Sequence, residues 1–187
     1  MSKFEYVAVL VSLVLGLGLA NILTGLGRMI NRRNEFQIDI VHLLWSIALF
    51  VVLVLNWWVF FQNISVTNWT FEYFLSIIVW AVTFYLMTVV LFPTDKDTEQ
   101  DYGKIFLQNH AWFIGLFIAS NLMDIVVTAL RGQLFNPPFY LPFVLHFVVL
   151  GVIALVVKSR RYQVCFASYI LFISLTWSFF VRLLLEQ

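Results

Sequence analysis

Six long, continuously apolar runs alternate with short polar segments along almost the whole chain. The runs cover about residues 5–27, 40–61, 71–92, 105–130, 139–157 and 162–185. Each has roughly the 20 apolar residues that a helix, rising about 1.5 Å per residue, needs to cross a hydrocarbon layer about 30 Å thick. Two-residue alternation, the mark of a membrane β-barrel, is absent from these runs. The pattern predicts an all-α integral membrane protein: a single polytopic domain folded as a bundle of six transmembrane helices.

The interruptions agree with this reading. Arg28, Arg32 and Arg33 sit in the polar segment after the first run, and an uncharged polar turn, Gln62 to Thr70, follows the second. Pro93 stops the third run, Arg131-Gly132 and Asn136-Pro137-Pro138 separate the fourth from the fifth, and Lys158-Ser159-Arg160-Arg161 forms a tight basic turn before the sixth. The most polar stretch, Thr94 to Lys104, divides the chain into two sets of three runs. Its acids Asp95, Asp97, Glu99 and Asp101 alternate with Lys96 and read as a solvated loop.

Charge sets the orientation. Short loops on the cytoplasmic side of a membrane carry an excess of Lys and Arg. Arg28, Arg32, Arg33, Lys96, Lys104, Lys158, Arg160 and Arg161 fall on one side, against Lys3, Arg131 and Arg182 on the other. Both termini are therefore expected outside, in a bacterial inner (plasma) membrane. Trp57, Trp58 and Trp69 flank the outer turn, as interfacial aromatics do. The N-terminus lacks the basic segment of a cleavable signal, so the first run reads as a permanent span. The sequons at Asn63 and Asn68 lie in the short outer turn, hard against the membrane.

Composition narrows the function classes. Hydrophobic residues make up 62% of the 187 residues and charged residues 11%, less than half the charge of an ordinary soluble domain. No polar segment is long enough to fold as a soluble catalytic or nucleotide-binding domain. A net charge of +1 gives no basis for nucleic acid as a partner. The lone Cys165 lies in an apolar run and reads as a small buried hydrophobe.

The first run carries two stripes of small or polar residues. Ser12, Gly16, Ala20 and Thr24 recur every four positions, a spacing that lets another helix approach closely. Gly18, Asn21, Gly25 and Arg28 form a second stripe beside it. The first stripe, Ser12, Gly16, Ala20 and Thr24, is expected to be a helix-packing seam, and one of the two to line a polar path or an oligomer seam. Asp124 is the carboxylate well inside a run, costly in hydrocarbon unless it faces a cavity, binds a proton or pairs with a cation. Arg182 is the expected partner, with Glu5 a second candidate for Arg182. An offset of 104 residues superposes Thr24 and His42 on Thr128 and His146, which would suit two inverted three-helix halves of the kind transporters use. Asn21, Thr24, Asp124, Thr128, His146 and Arg182 are thus the candidate polar path or intramembrane pair.

Catalytic and cofactor motifs do not emerge. His42 and His110 fall near the same end of their runs, where a bis-histidine haem is sterically conceivable, but their spacing is not characteristic and hydrogen bonding is the expected role of each. No metal, cofactor or enzymatic activity is expected. No run carries a mid-membrane lysine for a retinal Schiff base, an arginine ladder or a potassium-type filter. The leading expectation is a homo-oligomeric channel or transporter for an ion or small solute. The alternative is a membrane sensor or adaptor whose inner basic loops dock a cytosolic protein or anionic lipid.

Overall fold

The computed structural model describes residues 2–31, 37–66, 69–93 and 101–185, with backbone alone for residues 62, 65 and 178–185. The described chain is helical throughout, in six helices: α1 (Lys3–Asn31), α2 (Ile40–Phe60), α3 (Phe71–Leu91), α4 (Tyr102–Leu130), α5 (Tyr140–Val156) and α6 (Arg160–Leu185). Four of them, α1 to α4, are long and apolar enough to cross a membrane, the property of a helical membrane protein. A short 3-10 turn, Phe61–Ser65, extends the end of α2.

Side chains within reach of each helix end fix where it begins or stops. Ser2 and Glu5 form a capping box at α1: the Ser2 amide donates to Glu5 Oε2 (2.8 Å) and the Glu5 amide to Ser2 Oγ (3.1 Å). Asp39 accepts from the amides of Val41 and His42, and Asp101 from those of Gly103 and Lys104, so α2 and α4 start on carboxylates that complement their positive ends. Asp101 is thus a helix cap and not merely a solvated loop acid. Thr70 caps α3. At the end of α4, Gly132 takes a left-handed φ of 75°, its amide donates to the Ala129 carbonyl and the Gln133 amide to the Thr128 carbonyl. This Schellman closure satisfies the last carbonyls and turns the chain back toward α5.

The ends carrying α2, α4 and α6 starts are tied together. Arg160 Nη2 lies 2.7 Å from Asp39 Oδ2, and Gln37 bridges Asp101 through a single backbone contact. Arg160 and Arg161 therefore belong to the first turn of α6 rather than to the preceding turn, because Asp39 holds Arg160 against α2. Lys104, Lys158, Arg160 and Arg161 are exposed at this end. Arg32, Arg33 and Lys96, with Asp95, Asp97 and Glu99, lie outside the described residues.

Packing follows the order α5, α4, α3, α1, α2, α6, with each helix lying against its neighbours in that series. The two halves do not pack alike. In the first, α1 lies along α3; in the second, α4 lies along α5, and α6 leaves its own half to lie along α2. The packing within the two halves therefore lends no support to the inverted repeat suggested by the correspondence of Thr24 and His42 with Thr128 and His146.

The outer surface is apolar. Leu13, Leu17, Val149, Val156 and Phe172 are all more than half exposed, a belt that suits hydrocarbon rather than water. Cys165 is exposed on this surface, contrary to the buried place its apolar neighbours implied.

Candidate functional site

The two stripes of α1 have opposite fates. Gly18, Asn21 and Gly25 face α3. A Cβ at Gly18 would sit 3.5 Å from the Thr88 side chain, and one at Gly25 would overlap the Phe92 ring. Asn21 Nδ2 donates to Thr88 Oγ1 at 3.3 Å, while the Thr88 hydroxyl gives its own proton to the Tyr85 carbonyl. Asn21 is thus part of a helix contact. Ser12, Gly16, Ala20 and Thr24 turn outward: Gly16, Ala20 and Thr24 are exposed, nothing lies within 4 Å of a Cβ at Gly16, and Ser12 accepts from the Trp57 indole at 2.9 Å. The close seam within the chain is therefore the second stripe and not, as the four-residue spacing suggested, Ser12, Gly16, Ala20 and Thr24.

The histidines are spent on structure. His42 is fully buried and its Nε2 carries the proton it donates to the Leu91 carbonyl at 2.8 Å, since a carbonyl only accepts. With Asn109 donating to the Val90 carbonyl (3.1 Å), it satisfies carbonyls that α3 leaves open where Pro93 ends it. His110 accepts from Gln163 Nε2 at 2.9 Å, linking α4 to α6. His146 is 3.0 Å from the Tyr169 hydroxyl and stands apart from the cavity described next. Asn63 is buried, its amide donating to the Phe60 carbonyl and its oxygen accepting from Tyr73, so this sequon is part of a packed turn. Asn68 lies outside the described residues.

Asp124 and Thr128, one turn apart on α4, are brought together by a residue that sequence reasoning missed. Tyr140, the first residue of α5, places its hydroxyl 2.7 Å from Asp124 Oδ2 and 2.8 Å from Thr128 Oγ1. With one proton to give, Tyr140 donates to the carboxylate and takes a proton from the Thr128 hydroxyl. The signal available was the Gly132 turn with its two prolines, which folds the start of α5 back over the last turns of α4. The Arg182 side chain lies outside the described residues.

This cluster lines an open cavity of about 390 Å³ walled by α2, α3, α4, α5 and α6 and by the loop between α4 and α5. Its lining on α4 runs from Arg131 at the loop to Phe117, fourteen positions or about 21 Å at 1.5 Å per residue. The cavity exists because α5 and α6, though consecutive, barely pack on each other. Gly151 lets α5 approach α4 so closely that a Cβ there would sit 2.7 Å from Ile118 Cγ1, while α6 is drawn away to α2. Tyr162 and Tyr169 span the gap with hydrogen bonds to the Leu150 carbonyl and to His146.

A second cavity of about 260 Å³ opens at the basic end of the same seam, lined on α2 by Val41, on α4 by Phe106, His110 and Ala111, and on α6 by Arg160 and Gln163. Between the two lies an aromatic plug. Trp45 on α2 meets Phe113 (5.0 Å) and Phe117 (5.9 Å) on α4 and Phe166 (5.3 Å) on α6, ring edges against ring faces. Two buried polar atoms along this seam have no hydrogen-bond partner among the described residues, the Trp45 indole nitrogen and Gln163 Oε1.

The fold and this seam define a helical protein with the lengths and apolar exterior of a membrane protein, with two cavities to which α2, α4 and α6 all contribute. Comparison with models of protein families, with curated proteins and with solved structures gave no match.

Proposed function

We propose that the chain is a six-span carrier for a small solute in the plasma membrane, with both termini outside and the basic end in the cytoplasm. The observation that carries this reading is the pair of cavities on the α2–α4–α6 seam, parted by the Trp45, Phe113, Phe117 and Phe166 rings. A channel needs a continuous wet path, and these rings close it. A carrier needs a binding cavity open to one side and a barrier that a modest shift of packed helices moves. On this reading α2 and α6 move together against α4 and α5, across the weak packing of α6 on α5 and through a shift of the Trp45 contacts with α4. The orphan polar atoms of Trp45 and Gln163 lie where such a path would pass.

The sensor or adaptor reading has its own support in Lys158 and Arg161, exposed on one end beside the Asp39–Arg160 pair and placed for anionic head groups or an acidic partner. Liposomes containing the purified protein decide between them. A carrier gives saturable exchange of a small solute from a panel of cations, zwitterions and neutral molecules, without unitary currents. Unitary currents would return the channel reading; no exchange of any solute together with tight binding to anionic vesicles would favour the adaptor.

A further inference from the structure

We infer that the larger cavity selects an organic cation, a ligand with a compact ammonium head and an apolar body. This rests on the carrier reading and names its substrate class. The cavity is lined by aromatic rings, among them Trp80, Phe84, Phe117 and Phe143, and by one carboxylate, Asp124, midway along its α4 wall. The other charged residue of the lining, Arg131, is seven positions nearer the loop on α4, about 10 Å along the axis. Away from Arg131 the cavity therefore offers a carboxylate and ring faces whose quadrupoles attract cations.

The carboxylate is held for such a role. Tyr140 donates to Oδ2 and is itself held by Thr128, which fixes the orientation of the side chain at the cavity wall. Among the described residues the side chain that hydrogen-bonds the carboxylate is Tyr140, and a carboxylate accepts more than one such bond. A ligand cation in the cavity would use that remaining capacity. Asn56, Asn121 and Ser174 add polar edges without charge. Asn121 donates to the Phe117 carbonyl and Asn56 to the Val52 carbonyl, so each keeps its amide oxygen as an acceptor alongside one remaining N–H.

The test uses choline and its uncharged carbon isostere, in which a tert-butyl group replaces the trimethylammonium. Binding to the purified protein is read by the fluorescence of the cavity tryptophans Trp80 and Trp177. Choline is expected to bind at least about tenfold more tightly than the isostere, and Asp124→Asn to remove that preference, read as the ratio of the two affinities within each variant. Asp124→Glu, which keeps the charge, is expected to retain it. Equal affinity for the two probes in wild type overturns the inference whether or not the variants fold, and isostere binding with choline excluded overturns it while leaving the cavity as a binding site. If neither probe binds and a cysteine at Asn121 is unreactive to thiol reagents, both this inference and the carrier reading fail.

Discussion

Gly25→Ala is the sharpest perturbation of the packing described above. The added methyl would overlap the Phe92 ring, and the ring has nowhere to go: it is 2% exposed and wedged edge-on against His42, with Tyr102 beyond. His42 in turn is fixed to the Leu91 carbonyl. Overpacking of this kind costs about 1–3 kcal/mol. Alanine in place of glycine gains about 0.5–1 kcal/mol in a helix, so the net effect is destabilising. At about 2–4 °C per kcal/mol for a chain of this size, the melting temperature in detergent should fall by several degrees. Gly16→Ala is the matched control, since nothing lies within 4 Å of its Cβ. It should melt at or slightly above wild type. If Gly25→Ala is as stable as Gly16→Ala, α1 does not pack on α3 through the Gly18–Asn21–Gly25 face.

Three further outcomes are expected. Asp39→Ala removes the α2 cap and the partner of Arg160 together; loss of a cap costs about 0.5–2 kcal/mol, and because Arg160 is largely exposed, a cycle with Arg160→Gln should assign only about 0.2–1 kcal/mol to the ion pair, so a larger coupling in thermal melts would contradict the structure. In a Cys165→Ser background, cysteines at Ile64 and Ser159, both exposed, should react with impermeant reagent from opposite faces, the first in intact cells; reaction at position 159 alone would reverse the orientation. Gly16→Trp, on the outward stripe, should dissociate a homo-oligomer in size-exclusion chromatography with light scattering while leaving the protomer folded, and an unchanged mass would exclude that stripe as the contact.

The helices were legible in the sequence because a span must be continuously apolar, and the six predicted runs agree with the helices to within a few residues at most ends. Orientation within the bundle was not legible for the same reason. When lipid replaces water, the outward face of α1 is as apolar as its inward face, so periodicity cannot say which of two small-residue stripes meets a neighbour. Gly16 and Gly25 look alike in sequence and differ only in what stands opposite. Asp124 and Thr128 were visible as unusual residues in an apolar run. Tyr140 was not, because a tyrosine after a proline pair is unremarkable until the Gly132 turn lays it against α4. The histidines do what their setting suggested, hydrogen bonding, but their partners were not legible: His42 bonds to α3 and His110 to α6. The cavity itself arises from α6 packing on α2 instead of α5, a choice of partner that no local pattern encodes.

The carrier account is tested most directly by the reach of solvent to position 121. Asn121 lines the larger cavity, on the far side of the Phe117 and Phe113 rings from the basic end. With Asn121→Cys in a Cys165→Ser background, oriented vesicles of both polarities are treated with an impermeant thiol reagent. The account predicts reaction from the outer face at once and from the cytoplasmic face more slowly, as the plug shifts and the cavity turns inward. Reaction from the outer face alone, unchanged across the solute panel, would contradict it, leaving a membrane protein with a binding pocket and no passage.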